Sequence, residues 1–164
     1  MQGGYSRENP YHCAAHVLDC IQGLHYLMTH GEIVKILKKH DVFASFIGTM
    51  IHDYEHPGYQ NQFIVRTKHP LATRYSDISV LENHHLAAAF SIMYTWPKCN
   101  IMENMPLELH AQTRMLVVDM VLNSDISKHF TLMTAFKTKL GNNLNYETME
   151  DRTLILSVTL RIVS

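Results

Sequence analysis

Apolar residues recur at three- and four-residue intervals along most of the chain, the spacing of helices that bury one face, and no strand-like alternation precedes the last dozen residues. Asn9-Pro10 is a helix-start signal, with Asn as cap and Pro at a position where its missing N–H costs nothing. The pattern predicts a helix from about Tyr11 to His30, stopped by Gly31. Glu32 to Lys39 reads as a short amphipathic helix, with Ile33, Ile36 and Leu37 on one side. Asp41 is placed to cap the next helix, whose body from Val42 to Ile51 is apolar nearly all round, the mark of a central element. Pro57-Gly58 ends it, because Pro cannot continue the hydrogen-bond ladder and Gly accepts turn dihedrals.

Further helices are predicted over Gln60 to Lys68, Ser79 to Tyr94, Pro106 to Leu122, and from an Asp125 cap to Leu140. Thr95 to Met105 reads as a loop. Thr153 to Ser164 is rich in β-branched residues and fits a strand or the front of a helix. The expected fold class is all-α, in one domain over 1–164, with 1–9 a flexible start and 153–164 a divergent tail.

Three local patterns carry possible metal chemistry. His12, His16 and Asp19 fall three and four residues apart, which puts two imidazoles and a carboxylate on one face of the first predicted helix. His52-Asp53, with His56 one turn later, ends the apolar helix, where stability alone would favour Leu or Ala, and a buried carboxylate there needs a cation or a donor. Glu82-Asn83-His84-His85 is the third. Each has an ordinary reading as well: an i,i+4 histidine pair often decorates a surface, and residues 82 to 85 fit the solvated side of a helix.

Taken together, these patterns resemble a known family. Pro10-Tyr11-His12-x-x-x-His16-x-x-Asp19, His52-Asp53-x-x-His56-Pro57-Gly58-x-x-Asn61-x-Phe63, and Leu71-Ala72-x-x-Tyr75-x-Asp77-x-Ser79-Val80-Leu81-Glu82-Asn83-His84-His85 are similar in order and spacing to class I cyclic-nucleotide phosphodiesterases. Leu122-x-x-Asp125-x-Ser127-Lys128-His129-Phe130 resembles a further block, so the likeness runs from about Asn9 to Arg152. It implies a compact multi-helix domain of the HD-type metal phosphohydrolases, with two divalent ions, zinc at one position and magnesium or manganese at the other. Carried over position by position, it implies His16, His52 and Asp53 as metal ligands, His12 as general acid, and Glu82 as the carboxylate that orients it. His56 and Ser124 match residues around metal-associated waters, and Tyr11 matches a substrate contact. The implied reaction is hydrolysis of cAMP or cGMP to the 5′-monophosphate by a metal-bridged hydroxide, formed because two cations lower the pKa of water from about 15.7 toward about 7.

Departures from the pattern stand at Cys13, Val17, Cys20, Ser76 and Asn123, none at an implied ligand. A larger one follows Asp151-Arg152, where a His-x-Ala-Asp motif supplying a second bridging Asp is expected and does not occur. The expectation is therefore of a domain incomplete at both ends, and a second reading is an inactive fragment or interaction remnant.

Composition narrows this picture without changing it. Histidine is unusually abundant, 12 residues against 14 Lys and Arg together. His25, His30, His40, His69, His110 and His129 nevertheless lie outside the matched metal positions and read as surface or packing residues. A formal charge of -1 gives no electrostatic footprint for nucleic acid. The three cysteines form no C-x-x-C pair, which fits a reducing compartment and a cytoplasmic location. No apolar run is long enough to span a membrane. The expected partners are a cyclic nucleotide and a second copy of the chain in a homodimer.

Overall fold

A computed structural model describes residues 2–142 and 144–164, without the side chain of Gln2. Its α-helices are α1 (Ala14–His30), α2 (Lys39–Ile51), α3 (Asn61–Arg66), α4 (Pro70–Arg74), α5 (Val80–Thr95), α6 (Leu107–Leu122), α7 (His129–Gly141) and α8 (Met149–Val163). No strand occurs among the described residues, so the all-α expectation holds.

As its unbroken apolar pattern requires, α2 lies at the centre, packed against α1, α5, α6 and α8. Ala44, Ile47 and Ile51 of α2 meet Leu24 and Met28 of α1, Met93 of α5, Leu116 and Met120 of α6, and Leu156 and Leu160 of α8 in one core. Gly48 permits the close approach of α2 to α6. A Cβ there would stand 3.3 Å from the terminal carbon of Met120, tighter than ordinary packing. A smaller cluster of Ile64, Ala72, Val80 and Leu81 joins α3 and α4 to the start of α5.

Several boundaries differ from the pattern, each for a local reason. Asn9 caps as expected, its Oδ1 accepting from the N–H groups of Tyr11 and His12, but the regular helix begins only at Ala14. His12 therefore sits in the capping turn and not on the helix. Asp41 is not a cap: it occupies the first turn of α2 and its carboxylate accepts from the Lys38 N–H at 2.8 Å. The helix expected over Glu32 to Lys39 shrinks to a single 3₁₀ turn, Ile33–Ile36. Asp125 caps a 3₁₀ turn, Ile126–Lys128, which leads into α7.

The short α4 is absent from the sequence reading, although Pro70 at its first turn is a start signal and the His69 ring accepts from the Leu71 N–H. The ambiguous end of the chain is helical: Thr148 caps α8, and Ile155, Leu156, Val158 and Leu160 are buried. Burial overrides the strand preference of these residues. Where the sequence suggests a flexible start, the structure packs Tyr5 into the core and its hydroxyl donates to the Met50 carbonyl at 2.7 Å.

Candidate metal centre

The exit from α2 sets the geometry. His52 follows the last residue of the helix, and its Nδ1 lies 2.8 Å from the Thr49 carbonyl. An imidazole facing a carbonyl carries a proton on that nitrogen, so Nε2 is the position open to a second proton or to a metal ion. That Nε2 is buried and makes no hydrogen bond, although it lies 3.2 Å from Asp53 Oδ2. From α1, His16 brings its Nε2 to 3.4 Å from the same carboxylate oxygen. Burial favours the neutral form of Asp53, but the two imidazoles outweigh it and hold the carboxyl far below its usual range. Burial likewise works against charge on His52, and Asp53 reverses this, raising the imidazole to about 10. In the metal-free chain a proton on His52 thus balances Asp53.

Two donor groups surround Asp53. One consists of His16, Cys20 and His52; the other consists of His12, Asp53 and His56, the donor atoms in each lying within 4.8 Å of one another. The His12 and His56 rings stack at 3.6 Å between centroids, and the Gly58 N–H donates to His56 Nδ1. Gly58 has φ +82, a conformation that a side chain would resist. Burial lowers His56 to about 4 and His85 to about 3; His85 Nδ1 lies 2.6 Å from the Tyr54 carbonyl and ties α5 to the α2 exit. Burial also lowers His12, partly offset by Asp53.

His12, His16, His52, Asp53, His56 and His85 line one cavity of about 780 Å³, within the range of small-molecule sites. The eight residues to which the resemblance assigns a role, Tyr11, His12, His16, His52, Asp53, His56, Glu82 and Ser124, all face it. Their engagement varies. Glu82 is buried, which raises its pKa, and both its oxygens accept from Asn61 Nδ2, at 3.2 and 2.9 Å. Among the described residues it makes no hydrogen bond to His12. Ser124 turns its hydroxyl to the Val121 carbonyl at 2.7 Å, and Tyr11 stands exposed with its ring 4.6 Å from that of His16.

Asp19, grouped by spacing with His12 and His16, is exposed and does not line the cavity. The α1 residue that reaches the cluster is Cys20, four positions from His16 and buried, with Sγ 3.5 Å from His16 Nε2. Asn61 and Asp125 were also missed as working residues. Asn61 additionally accepts from the Leu81 N–H, and Asp125 accepts from the Ser79 hydroxyl at 2.7 Å, so the two residues fix the start of α5.

A family model described as 3′5′-cyclic nucleotide phosphodiesterase matches residues 11–163. The chain belongs to this family. The match continues through α8, past Arg152, where the resemblance read from motifs stops. The chain is 39% identical over 141 residues to the dual specificity calcium/calmodulin-dependent 3′,5′-cyclic nucleotide phosphodiesterase 1C of Mus musculus, covering 85% of the chain and 20% of that protein. It is 37% identical over 138 residues to the 3′,5′-cyclic-AMP phosphodiesterase 4C of Mus musculus, covering 84% and 20%. The structure of LmjPDEB1 in complex with IBMX superposes with a TM-score of 0.93 at 25% identity, over 99% of this chain and 49% of that one. The chain thus spans about a fifth of these curated relatives. Membership of this phosphodiesterase family implies divalent metal use, and the residues fit it: an orphaned, buried imidazole nitrogen beside a carboxylate is what a cation would relieve. Among the described residues no helix is long and apolar enough to cross a membrane.

Proposed function

We propose that this domain hydrolyses 3′,5′-cyclic nucleotides, cAMP or cGMP, to 5′-monophosphates with two divalent ions, zinc in the inner position and magnesium or manganese in the outer. One observation carries the reading: the family-motif residues of three separate elements converge on a single cavity, with the Asp53 carboxylate at the meeting point of two donor groups. His16, His52 and Asp53 would hold the inner ion, and Asp53 would be shared with the outer one. When bound, such ions supply an activated water and neutralise charge building on the phosphate.

The remaining work falls to the chain itself. His12, half-buried at the cavity edge, is positioned to hand its proton to the departing 3′ oxygen, a step typically worth about 10²–10⁴ in rate. A phosphodiester anion beside it favours the protonated imidazole, against the effect of burial. Glu82, fixed by Asn61, orients His12 in this reading. His56 and Ser124 line the same cavity, where they would contact metal-associated water, and the exposed Tyr11 ring offers an apolar wall to substrate. Three free cysteines support a reducing, cytoplasmic setting.

The test is an assay of the purified chain with each cyclic nucleotide, with and without added zinc and magnesium, scored by 5′-monophosphate formation. Turnover that disappears in chelator and in His52→Ala is expected. A folded chain that takes up metal yet shows no turnover with either nucleotide would favour the second reading, binding without hydrolysis, to which the single carboxylate of the inner cluster gives some weight.

A further inference from the structure

We propose that Cys20 is a direct ligand of the inner metal ion, so that His16, Cys20, His52 and Asp53 form a closed four-donor site. The inference rests on the metal-centre reading above and goes beyond the ligands that reading names.

Cys20 follows His16 by four residues on α1, so the two side chains project to the same side of the helix. The thiol is 1% exposed, with Sγ 3.5 Å from His16 Nε2. Independently, His52 Nε2 is buried without a hydrogen bond, and a ring nitrogen of His52 lies within 4.8 Å of the His16 and Cys20 donors. Zinc bound at about 2.0–2.1 Å from nitrogen or oxygen and about 2.3 Å from sulfur, at tetrahedral angles, sets ligand atoms about 3.3–3.6 Å apart. The observed separations are 3.5 Å for Cys20 to His16, 3.4 Å for His16 to Asp53 and 3.2 Å for His52 to Asp53. These three of the six ligand-to-ligand distances nearly match such a tetrahedron before any ion draws the donors together.

Chemical consequences follow from the sulfur. A thiolate selects zinc, cobalt or cadmium over magnesium, whereas the outer group of His12, Asp53 and His56 contains none. Binding releases the Sγ proton to solvent. Four protein ligands leave no open coordination position, the arrangement of tightly held ions, so catalytic water would have to be shared from the outer side or displace a ligand.

The experiment uses the full chain with Cys13→Ser and Cys99→Ser, which leaves Cys20 as the sole thiol, stripped with chelator and titrated with cobalt. A thiolate-to-cobalt charge-transfer band in the near ultraviolet is expected, together with visible bands of a tetrahedral site. Adding Cys20→Val should abolish the charge-transfer band and weaken affinity by at least about 10-fold, more than the change of an outer-sphere residue. Zinc X-ray absorption on the unsubstituted chain gives a readout independent of any variant, with sulfur expected at about 2.3 Å. Cobalt and zinc that bind with nitrogen and oxygen neighbours alone would overturn the role of Cys20 and leave the His16, His52 and Asp53 centre standing. Failure of a folded chain to bind either ion would overturn both.

Discussion

The two ends of α2 each bury a carboxylate, and they answer its charge in different ways. At the N-terminal end Asp41 is fully buried, and its Oδ2 accepts from Arg152 Nε at 2.7 Å and from the Lys38 N–H at 2.8 Å. Arg152 spends another nitrogen on the carbonyls of Tyr146 and Glu147. At the C-terminal end Asp53 meets only imidazoles. A guanidinium keeps its charge in proteins, while an imidazole carries one only when protonated. The first end is therefore finished in charge and locks α8 onto α2, although Asp41 Oδ1 keeps no hydrogen bond and lies 3.2 Å from His40 Nε2; the second is conditional, open to a proton or to a metal ion. Burial alone does not mark a functional site; a buried anion whose counter-charge can be exchanged does.

The comparison breaks most visibly at the finished end. Arg152→Ala should cost about 3–5 kcal/mol, since it strands the buried Asp41, and denaturant melts of the metal-free chain will measure it. Asp53→Asn should instead leave the fold largely intact and lower zinc affinity by more than about 100-fold, beyond the range of outer-sphere changes. Competition with a chromogenic chelator reads this directly. If both variants lost stability equally, the distinction between locked and conditional ends would be gone.

A smaller effect sharpens the contrast through pH. His85 and His56 have folded pKa values lowered to about 3 and about 4 from 6.5, so the unfolded chain binds more protons below 6.5 and stability is lost as pH falls from there. His52 is raised from 6.5 to about 10, so its contribution is complete below 6.5 and is lost as pH rises toward 10. The metal-free chain should be most stable near neutrality, and saturating zinc should remove the alkaline loss by taking the place of the His52 proton. Thermal melts across pH with and without zinc test this, and an alkaline arm unchanged by zinc would count against it. The smallest effect is expected from Thr148→Ala, about 1 kcal/mol. Its side chain caps the helix that carries Arg152, and zinc affinity at the far end should not move.

Much of the conditional end was legible in the sequence because metal-ligand types stand out against apolar surroundings. A His-Asp pair ending the apolar run to Ile51 could be noticed without coordinates, and so could His16 at helical spacing from His12. Residue type also misled. Asp19 attracted attention as a carboxylate, whereas the geometry of α1 turns it outward and turns Cys20 inward. The finished end could not be read at all: Asp41 and Arg152 are 111 residues apart, and nothing local couples them. The helical state of α8 was hidden for a related reason, since its β-branched residues decide nothing until α1, α6 and α7 cover them.

The placement of His16, Cys20, His52 and Asp53 within the first third of the chain bears on biosynthesis. All of these donors emerge from the ribosome before α6 and α8 exist, and joining them closes a much shorter loop than joining Asp41 to Arg152, which lowers the entropic penalty. A nascent chain could thus seize zinc while most of its eventual core is still untranslated, and the captured ion would then pin α1 against α2 as a template on which later helices dock.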